Sequence, residues 1–451
     1  MKFKAWALGS AALLAAVGTA SASDLLPTKK AAPAQYVKIC SIDGMTGFTL
    51  PGSDTCLKIA GMVRFEAGYL GSGDEWAQAG TFAAPVYKLA PASTRNSVKW
   101  FTRARFKFDA RSATPYGTLR SFFSLQLQHT SDINTNGGNG ETATIDKAFI
   151  QWAGLTVGRA QSFYDFYAGN YQDLQGQSDI TVSTLAYTAS FGGGFSATLA
   201  LENNRDRLVN GFAWNNNGAA LDGLTARTNQ IPDVVAVLRV DQSWGSAQLS
   251  AALHQVNLVD AANAANVSKT GFAVQGGLKF LLPSMGAGDA LWFEASYSQA
   301  ALSYSGMVGG AKADFFYNNG FDNTNGDVII DGTAPAGALF NVRVPTSFGV
   351  MAAMEHHFSP QFWIAPMLGY QTTSYSNNTA TSLASNWSVL TAAMDIHWDP
   401  VTNLDTYLDL YYTNTHNTLP SNATIAFNPA TGVFKTNTGS FGGFIHIERD
   451  F

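Results

Sequence analysis

The chain has 451 residues, 46% hydrophobic and only 13% charged, with 12% aromatics, 43 glycines and a formal charge of −5. That charged share is about half of what a soluble protein carries, and beyond the N-terminus no apolar run approaches the ~20 residues of a spanning helix. The acidic balance argues against a nucleic-acid partner, and two cysteines allow one bridge at most.

In chain order, Lys2 and Lys4 form a basic region, Ala5 to Val17 an apolar one, and Ala20-Ser21-Ala22 a cleavage site. These are the parts of an export leader, so residues 1–22 are expected to be removed near Ala22. Without the two lysines the basic count falls from 27 to 25 against 32 acids, a mature charge of −7. Residues 23–451 then form one domain. An oxidising compartment makes a Cys40–Cys56 bond reasonable, closing a segment over 36–57 that holds Gly44, Gly47, Pro51 and Gly52. Two free buried thiols are the alternative.

Leu57 to Leu70 alternates as a strand, with Val63, Phe65, Ala67 and Tyr69 on one face and Arg64 and Glu66 on the other. Gly71 to Thr94 reads as a polar-aromatic loop. The clearest hairpin follows. Arg103, Arg105, Lys107 and Asp109 alternate with Thr102, Ala104, Phe106, Phe108 and Ala110. Thr114-Pro-Tyr-Gly117 turns the chain, and Leu119, Ser121, Phe123, Leu125 and Leu127 alternate with Arg120, Phe122, Ser124, Gln126 and Gln128. Asn134 to Gly140 is a loop, Ala143 to Trp152 a strand, and Ala153-Gly154 a tight turn into Leu155 to Arg159.

Alternation then stops over 160–178, which contains Ser162-Phe-Tyr-Asp-Phe-Tyr and Tyr171-Gln-Asp-Leu. It resumes at Asp179 and continues through hairpins turning near Gly192-Gly-Gly194, Trp244-Gly-Ser, Pro283 to Asp289, Ser359-Pro-Gln and Asp399-Pro-Val-Thr-Asn. Long polar loops cover about 203–230 and 305–341. The total is about sixteen strands, with short turns alternating with loops of roughly 15 to 40 residues, a sorting that outer-membrane barrels show and a sandwich has no reason for. The expected fold is therefore an all-β transmembrane antiparallel barrel, apolar faces towards outer-membrane lipid and charges towards water. Trp100, Tyr116, Trp152, Tyr187, Trp244, Trp292, Tyr297, Tyr370, Trp387, Trp398 and Tyr412 recur near strand ends, as interface girdles require. The last strand ends on Phe451, the kind of terminus that marks a chain for the outer-membrane assembly machinery; Arg449 stands where a hydrophobe is usual.

Three segments carry a resemblance. They are Tyr36-Val-Lys-Ile-Cys40 with Pro51-Gly-Ser-Asp-Thr-Cys-Leu-Lys-Ile-Ala-Gly-Met-Val-Arg64; Ala148-Phe-Ile-Gln-Trp-Ala-Gly-Leu-Thr-Val-Gly-Arg-Ala-Gln-Ser-Phe-Tyr-Asp-Phe166; and Gly442-Gly-Phe-Ile-His-Ile-Glu-Arg-Asp-Phe451. Together they resemble the alphaproteobacterial porin family. The resemblance implies a sixteen-stranded barrel, a homotrimer in a Gram-negative outer membrane, passive diffusion of small hydrophilic solutes and ions, and a third external loop folded into the pore. It implies neither cofactor nor metal nor enzymatic role.

On that reading the loop over 160–178 brings Asp165 and Asp173 to the pore centre. Arg64, Arg103, Arg105, Lys107, Arg120 and Arg159 supply the basic side, giving a transverse field that tunes ion preference. Like charges at two-residue spacing repel, so the Arg103/Arg105/Lys107 ladder needs either a solvated wall or this function. Asp322-Asn-Thr-Asn-Gly-Asp327 offers oxygens at alternating positions but lacks the glycine and distal Glu of a calcium loop, and reads as a polar external loop. His356-His357 shows no ligand partners at metal spacing. Alternative readings are a sugar- or anion-specific channel, against which lumen aromatics (Phe122, Tyr407, Tyr411) look sparse, a barrel-anchored adhesin, and a barrel lipase, for which Ser121 and His129 lie too far apart.

Overall fold

The computed structural model describes residues 38–69, 75–81, 84–90, 98–131, 140–167, 174–209, 212–214, 224–226, 231–260, 265–306, 326–331, 341–375, 386–418, 424–425 and 437–451. The expected leader, Asp173 and Asp322 lie outside them. Sixteen long strands follow in order. They are β1 (Cys56–Tyr69), β2 (Val98–Thr114), β3 (Gly117–Thr130), β4 (Gly140–Trp152), β5 (Leu155–Gln161), β6 (Thr181–Gly192), β7 (Phe195–Glu202) and β8 (Asp233–Gln242). After them come β9 (Gly245–Asp260), β10 (Ala265–Leu281), β11 (Ala290–Gln299), β12 (Pro345–Ser359), β13 (Phe362–Tyr375), β14 (Asn386–Trp398), β15 (Leu404–Thr418) and β16 (Asn437–Asp450).

Each strand pairs antiparallel with its chain neighbours, and β16 returns to β1 from Gly443↔Tyr69 to Asp450↔Met62, closing the barrel. Phe451 extends that closure. Its N–H donates to Gly61 O at 3.0 Å and its carbonyl accepts from Gly61 N–H at 2.9 Å. A Cβ at Gly61 would stand 2.5 Å from the Phe451 ring, so glycine is what lets the terminal ring lie there. Closure leaves no unpaired edge, the condition for placing strands in lipid.

Alternation sets the faces as expected. Ile59, Val63, Phe106, Phe108, Phe123, Leu127, Leu249, Leu278, Leu368 and Ile445 point outward and are exposed, while Met62, Glu66, Ser124, Gln275, Gln371 and His446 are buried inside. A soluble core would reverse this. Register shifts interrupt the pattern at Ser124/Leu125 between β3 and β4, at Ser190/Gly192 between β6 and β7 and at His357/Ser359 between β12 and β13; at the first, Asp146 accepts from Ser124 Oγ at 3.1 Å on the lumen side. The tight turns follow backbone chemistry. Ala153 (φ 49°) and Gly154 (φ 86°) both take the left-handed region, as a two-residue hairpin with matching twist demands.

Some connections differ from expectation. The external link between β9 and β10 is only 261–264, because pairing runs on to Asp260↔Ala265 through a stretch rich in Asn, Ala and Ser. The stretch expected as a loop after β1 holds a hairpin, Glu75–Thr81 with Ala84–Ala90, and Thr424–Ile425 joins it in parallel. The two longest loops also meet, Phe212–Trp214 pairing with Ile329–Asp331. At the short-turn end, a hairpin of Ile39–Ile42 and Met45–Thr49 is tied to β1 by the Cys40–Cys56 disulfide, Cα–Cα 5.8 Å. Arg449, the misfit of the last strand, donates to Asn403 O at 2.9 Å and so caps the 399–403 turn. Trp292 and Trp387, expected in the girdles, are buried on the lumen side.

Candidate pore constriction

After β5 the chain leaves the wall, and 162–167 and 174–180 lie inside the barrel. Its tyrosines hold it. Tyr164 packs on Ala186, Ala200, Val235, Ala252 and Ala273, and Tyr167 packs on Trp292, Met351, Ala353 and Met367. Burying an apolar side chain of this size is worth ~1.5–3 kcal/mol. Wall residues are small where the loop passes. A Cβ on Gly277 would meet the Phe166 ring at 2.3 Å, one on Gly369 the Gln175 carbonyl at 2.3 Å, and one on Gly349 the Gly176 Cα at 2.7 Å.

Polar contacts fix the register. Gln248 Nε2 donates to the carbonyls of Tyr164 and Asp165 at 3.2 Å each, and Ser250 Oγ donates to Tyr164 O at 2.9 Å. Asp165 ties the two ends of the loop together. It accepts from Gln161 Nε2 at 2.7 Å, Ile180 N–H at 2.7 Å and Ser178 Oγ at 2.6 Å. Its charge is met by Arg207, 2.7 Å away, both side chains fully buried. Arg207 comes from the next external loop, lies over the Tyr304 ring at 4.2 Å, and stands 3.9 Å from Glu202. Burial pulls the Arg207 guanidinium down, but Asp165, Tyr304 and Glu202 outweigh it and hold the ion charged. Glu202 in turn accepts from Ser162 Oγ at 2.7 Å and Phe163 N–H at 3.0 Å. Asp165 is therefore a buried strut, which corrects its expected place at the pore centre.

The same interior anchors the longest loop. Asp327 is buried and accepts from Val209 N–H at 2.8 Å and Leu302 N–H at 2.7 Å. His254 lies 3.6 Å from it and 2.8 Å from Asp233, which also accepts from Tyr304 Oη at 2.6 Å. Both Asp327 oxygens are thus engaged in protein contacts.

Across the lumen stands the basic ladder. Arg64 Nε meets Glu448 at 2.6 Å and its Nη1 meets Glu66 at 3.5 Å. Arg103 donates to Gln128 at 3.1 Å and stacks over Phe101 at 4.7 Å. Arg105 donates to Gln126 at 2.6 Å and lies 3.6 Å from Asp146. Lys107 makes no ion pair with a described residue. Arg120 is gripped by Asp109 at 2.9 Å, together with Arg111, near the short-turn end.

A scan against family models matches residues 24–438 to the porin subfamily. The chain belongs to this porin family. It is 30% identical over 266 residues to Porin Omp2b of Brucella suis, covering 54% of this chain and 64% of that one. Porin Omp2b of Brucella abortus (strain 2308) is 31% identical over 265 residues with the same coverage. The porin thus spans 64% of the length of the curated relatives it matches. The outer membrane channel DcaP of Acinetobacter baumannii shares the fold, with TM-score 0.60 and 14% identity over 90% of this chain and 99% of the other. Family and closed barrel together place the porin in the outer membrane.

Arg159 is a further correction. It pairs in register with Ala148 and Ser183 on the outward parity of β5, donates to Ile145 O at 3.1 Å and faces Asp206 at 3.9 Å. It stands outside the pore of this porin. Lumen rings are also more numerous than expected. His357, Trp363, His397, Tyr407 and His446 are successive cross-strand neighbours and stack in a row, with Trp363–His397 at 3.4 Å and Tyr407–His446 at 4.1 Å. Arg207 and Tyr304 escaped the sequence reading because no periodicity marks them, and Gln248 because the parity that turns it into the lumen names no partner. The alanines and glycines at lumen positions of β6 to β13 were a usable signal, since nothing else requires such small residues facing water.

Proposed function

We propose that this porin forms a water-filled outer-membrane channel for passive diffusion of small hydrophilic solutes and ions, working as a homotrimer after loss of a leader over 1–22. The observation that carries this is a closed barrel with chain packed inside it at 162–167 and 174–180 and a lumen-side row of Arg64, Arg103, Arg105 and Lys107 on β1 and β2. The loop narrows the passage, and the wall keeps it wet and charged. Four cations there face Glu66, Glu448 and Asp146 among their own neighbours, so the wall is nearly self-neutral and its selectivity weak. With Asp165 sequestered by Arg207, the acidic side of the constriction falls to Asp173.

Planar-bilayer recording tests the proposal. A large, ohmic, weakly selective conductance supports a general diffusion channel. Block by one sugar or one anion points to a specific channel instead, and a folded protein that conducts nothing overturns both.

A further inference from the structure

At the short-turn mouth of the barrel, β14 and β15 bring together three side chains that the diffusion pathway does not use. His397 closes β14, Asp399 begins the 399–403 turn, and Asp405 lies at the start of β15. One donor atom of each falls within 4.8 Å of the other two, and His397 Nδ1 is 3.0 Å from Asp405 Oδ1.

The three side chains are held in place before any ligand arrives. The His397 ring lies flat against Trp363, centroids 3.4 Å apart and planes 10° apart, with Tyr407 on its other side at 4.5 Å. Trp363 Nε1 also donates to Asp399 Oδ2 at 2.9 Å, so one indole orients both the imidazole and a carboxylate. Outer contacts of this kind set ligand direction in metal sites. Asp405 is 39% exposed, so an ion can enter from the mouth.

We propose that His397, Asp399 and Asp405 bind a divalent transition-metal ion, of which Zn²⁺ is the natural probe. One imidazole nitrogen and two carboxylates suit zinc or a neighbouring first-row ion; calcium takes six to eight oxygens. Metal–ligand bonds of ~2.0–2.2 Å need only side-chain rotations from the present spacing. Binding through Nδ1 moves the single proton of the neutral His397 ring to Nε2, and the ion takes the place of the N–H···O contact with Asp405. The ion neutralises two carboxylates at a mouth that also holds Glu448, opposite Asp405 in register, and Asp450. A bound ion therefore moves selectivity towards anions.

The neighbouring His356, His357 and Asp289 group is the built-in control. Asp289 already accepts from His356 Nδ1 at 2.6 Å and His357 N–H at 2.8 Å. Titration calorimetry of the purified full chain in detergent with ZnCl₂ should give one site per chain. That site should weaken at least ~10-fold in His397→Gln and in Asp405→Asn, on the scale of losing a ligand or its support, and persist in His356→Gln. In bilayers, Zn²⁺ should shift the reversal potential towards anions in the wild type and not in His397→Gln. Absence of a wild-type site, or a site retained in His397→Gln, overturns the proposal. Should His397→Gln fail to fold, Asp399→Asn, in the turn outside the strands, carries the same test.

Discussion

Replacing Asp165 by Asn keeps the shape of the side chain and removes the charge that Arg207 answers. Breaking a fully buried ion pair costs ~3–5 kcal/mol, because the surviving ion stays out of water. Two forces still hold the loop. Tyr164 and Tyr167 each contribute ~1.5–3 kcal/mol of burial, and the two Gln248 amide bonds and the Ser250 bond add ~0.5–1.5 kcal/mol apiece. The loop should therefore remain mostly seated while its released population rises about 10²- to 4 × 10³-fold, at ~1.4 kcal/mol per decade. Single-channel recording should show frequent excursions to a wider substate, and proteolysis should cut within 162–180 while the barrel keeps its heat-modifiable mobility. Asp165→Asn combined with Arg207→Gln should recover only part of the quiet trace, since the unpaired guanidinium is gone but buried Glu202 then loses the cation 3.9 Å away. An Asp165→Asn channel with wild-type noise and wild-type resistance to protease would show that this pair does not tether the loop.

Neutralising Arg103 and Arg105 together should shift ion preference towards cations, more than the two charges alone suggest, because Asp146 loses the guanidinium 3.6 Å away; an unchanged reversal potential removes both from the conducting path. Gly277→Leu should displace Phe166, whose ring would lie 2.3 Å from the new Cβ, and raise solute flux in liposome-swelling assays with the barrel intact. The buried Asp289 carboxyl is pushed up by desolvation, but the His357 N–H and the His356 imidazole outweigh this and hold it below the usual range. A lowered folded value means stability that is present above the unfolded pKa of ~3.9 and is lost as pH falls through the folded one. Asp289→Asn should therefore lower the melting temperature at neutral pH, and the gap to wild type should close progressively below pH ~4.

The wall of this porin was legible because period-two alternation is a local property of the chain. Arg103, Arg105 and Lys107 read as one face of a strand from their alternation with Thr102, Ala104 and Phe106, but which way that face points follows only from the barrel pattern of the whole chain. Arg159 misled because β5 is short and its parity is set by Leu155 and Val157, which point outward. Asp165 misled differently. An aspartate in an aperiodic loop gives no sign of whether it faces water or an arginine from a loop forty residues on. That partner is chosen by tertiary packing around Tyr164 and Tyr304, rings 4.7 Å apart, which no window of sequence contains. Trp292 had the same ambiguity. Its position near a strand end suited a lipid girdle, but its parity turns it inward against Tyr167, centroids 5.5 Å apart.

The lumen is divided between two kinds of surface, and the division separates two functional properties. From β6 to β13 the interior is lined by Ala, Gly and Ser under the inward loop, with its ions paired in dry contacts such as Arg207 with Asp165. On β1 to β4 and β16 the interior keeps Arg64, Arg103, Arg105, Lys107, Glu448 and Asp146 part-exposed. Bulk added to the first surface moves the loop and hence the exclusion limit; charge changed on the second alters selectivity without moving any backbone. Sites that share no partner combine additively. Gly277→Leu joined to Arg105→Ala should therefore show the flux gain of the first and the reversal-potential shift of the second, each undiminished. A non-additive result would mean that the loop reaches the basic wall and that size and charge selection are one device.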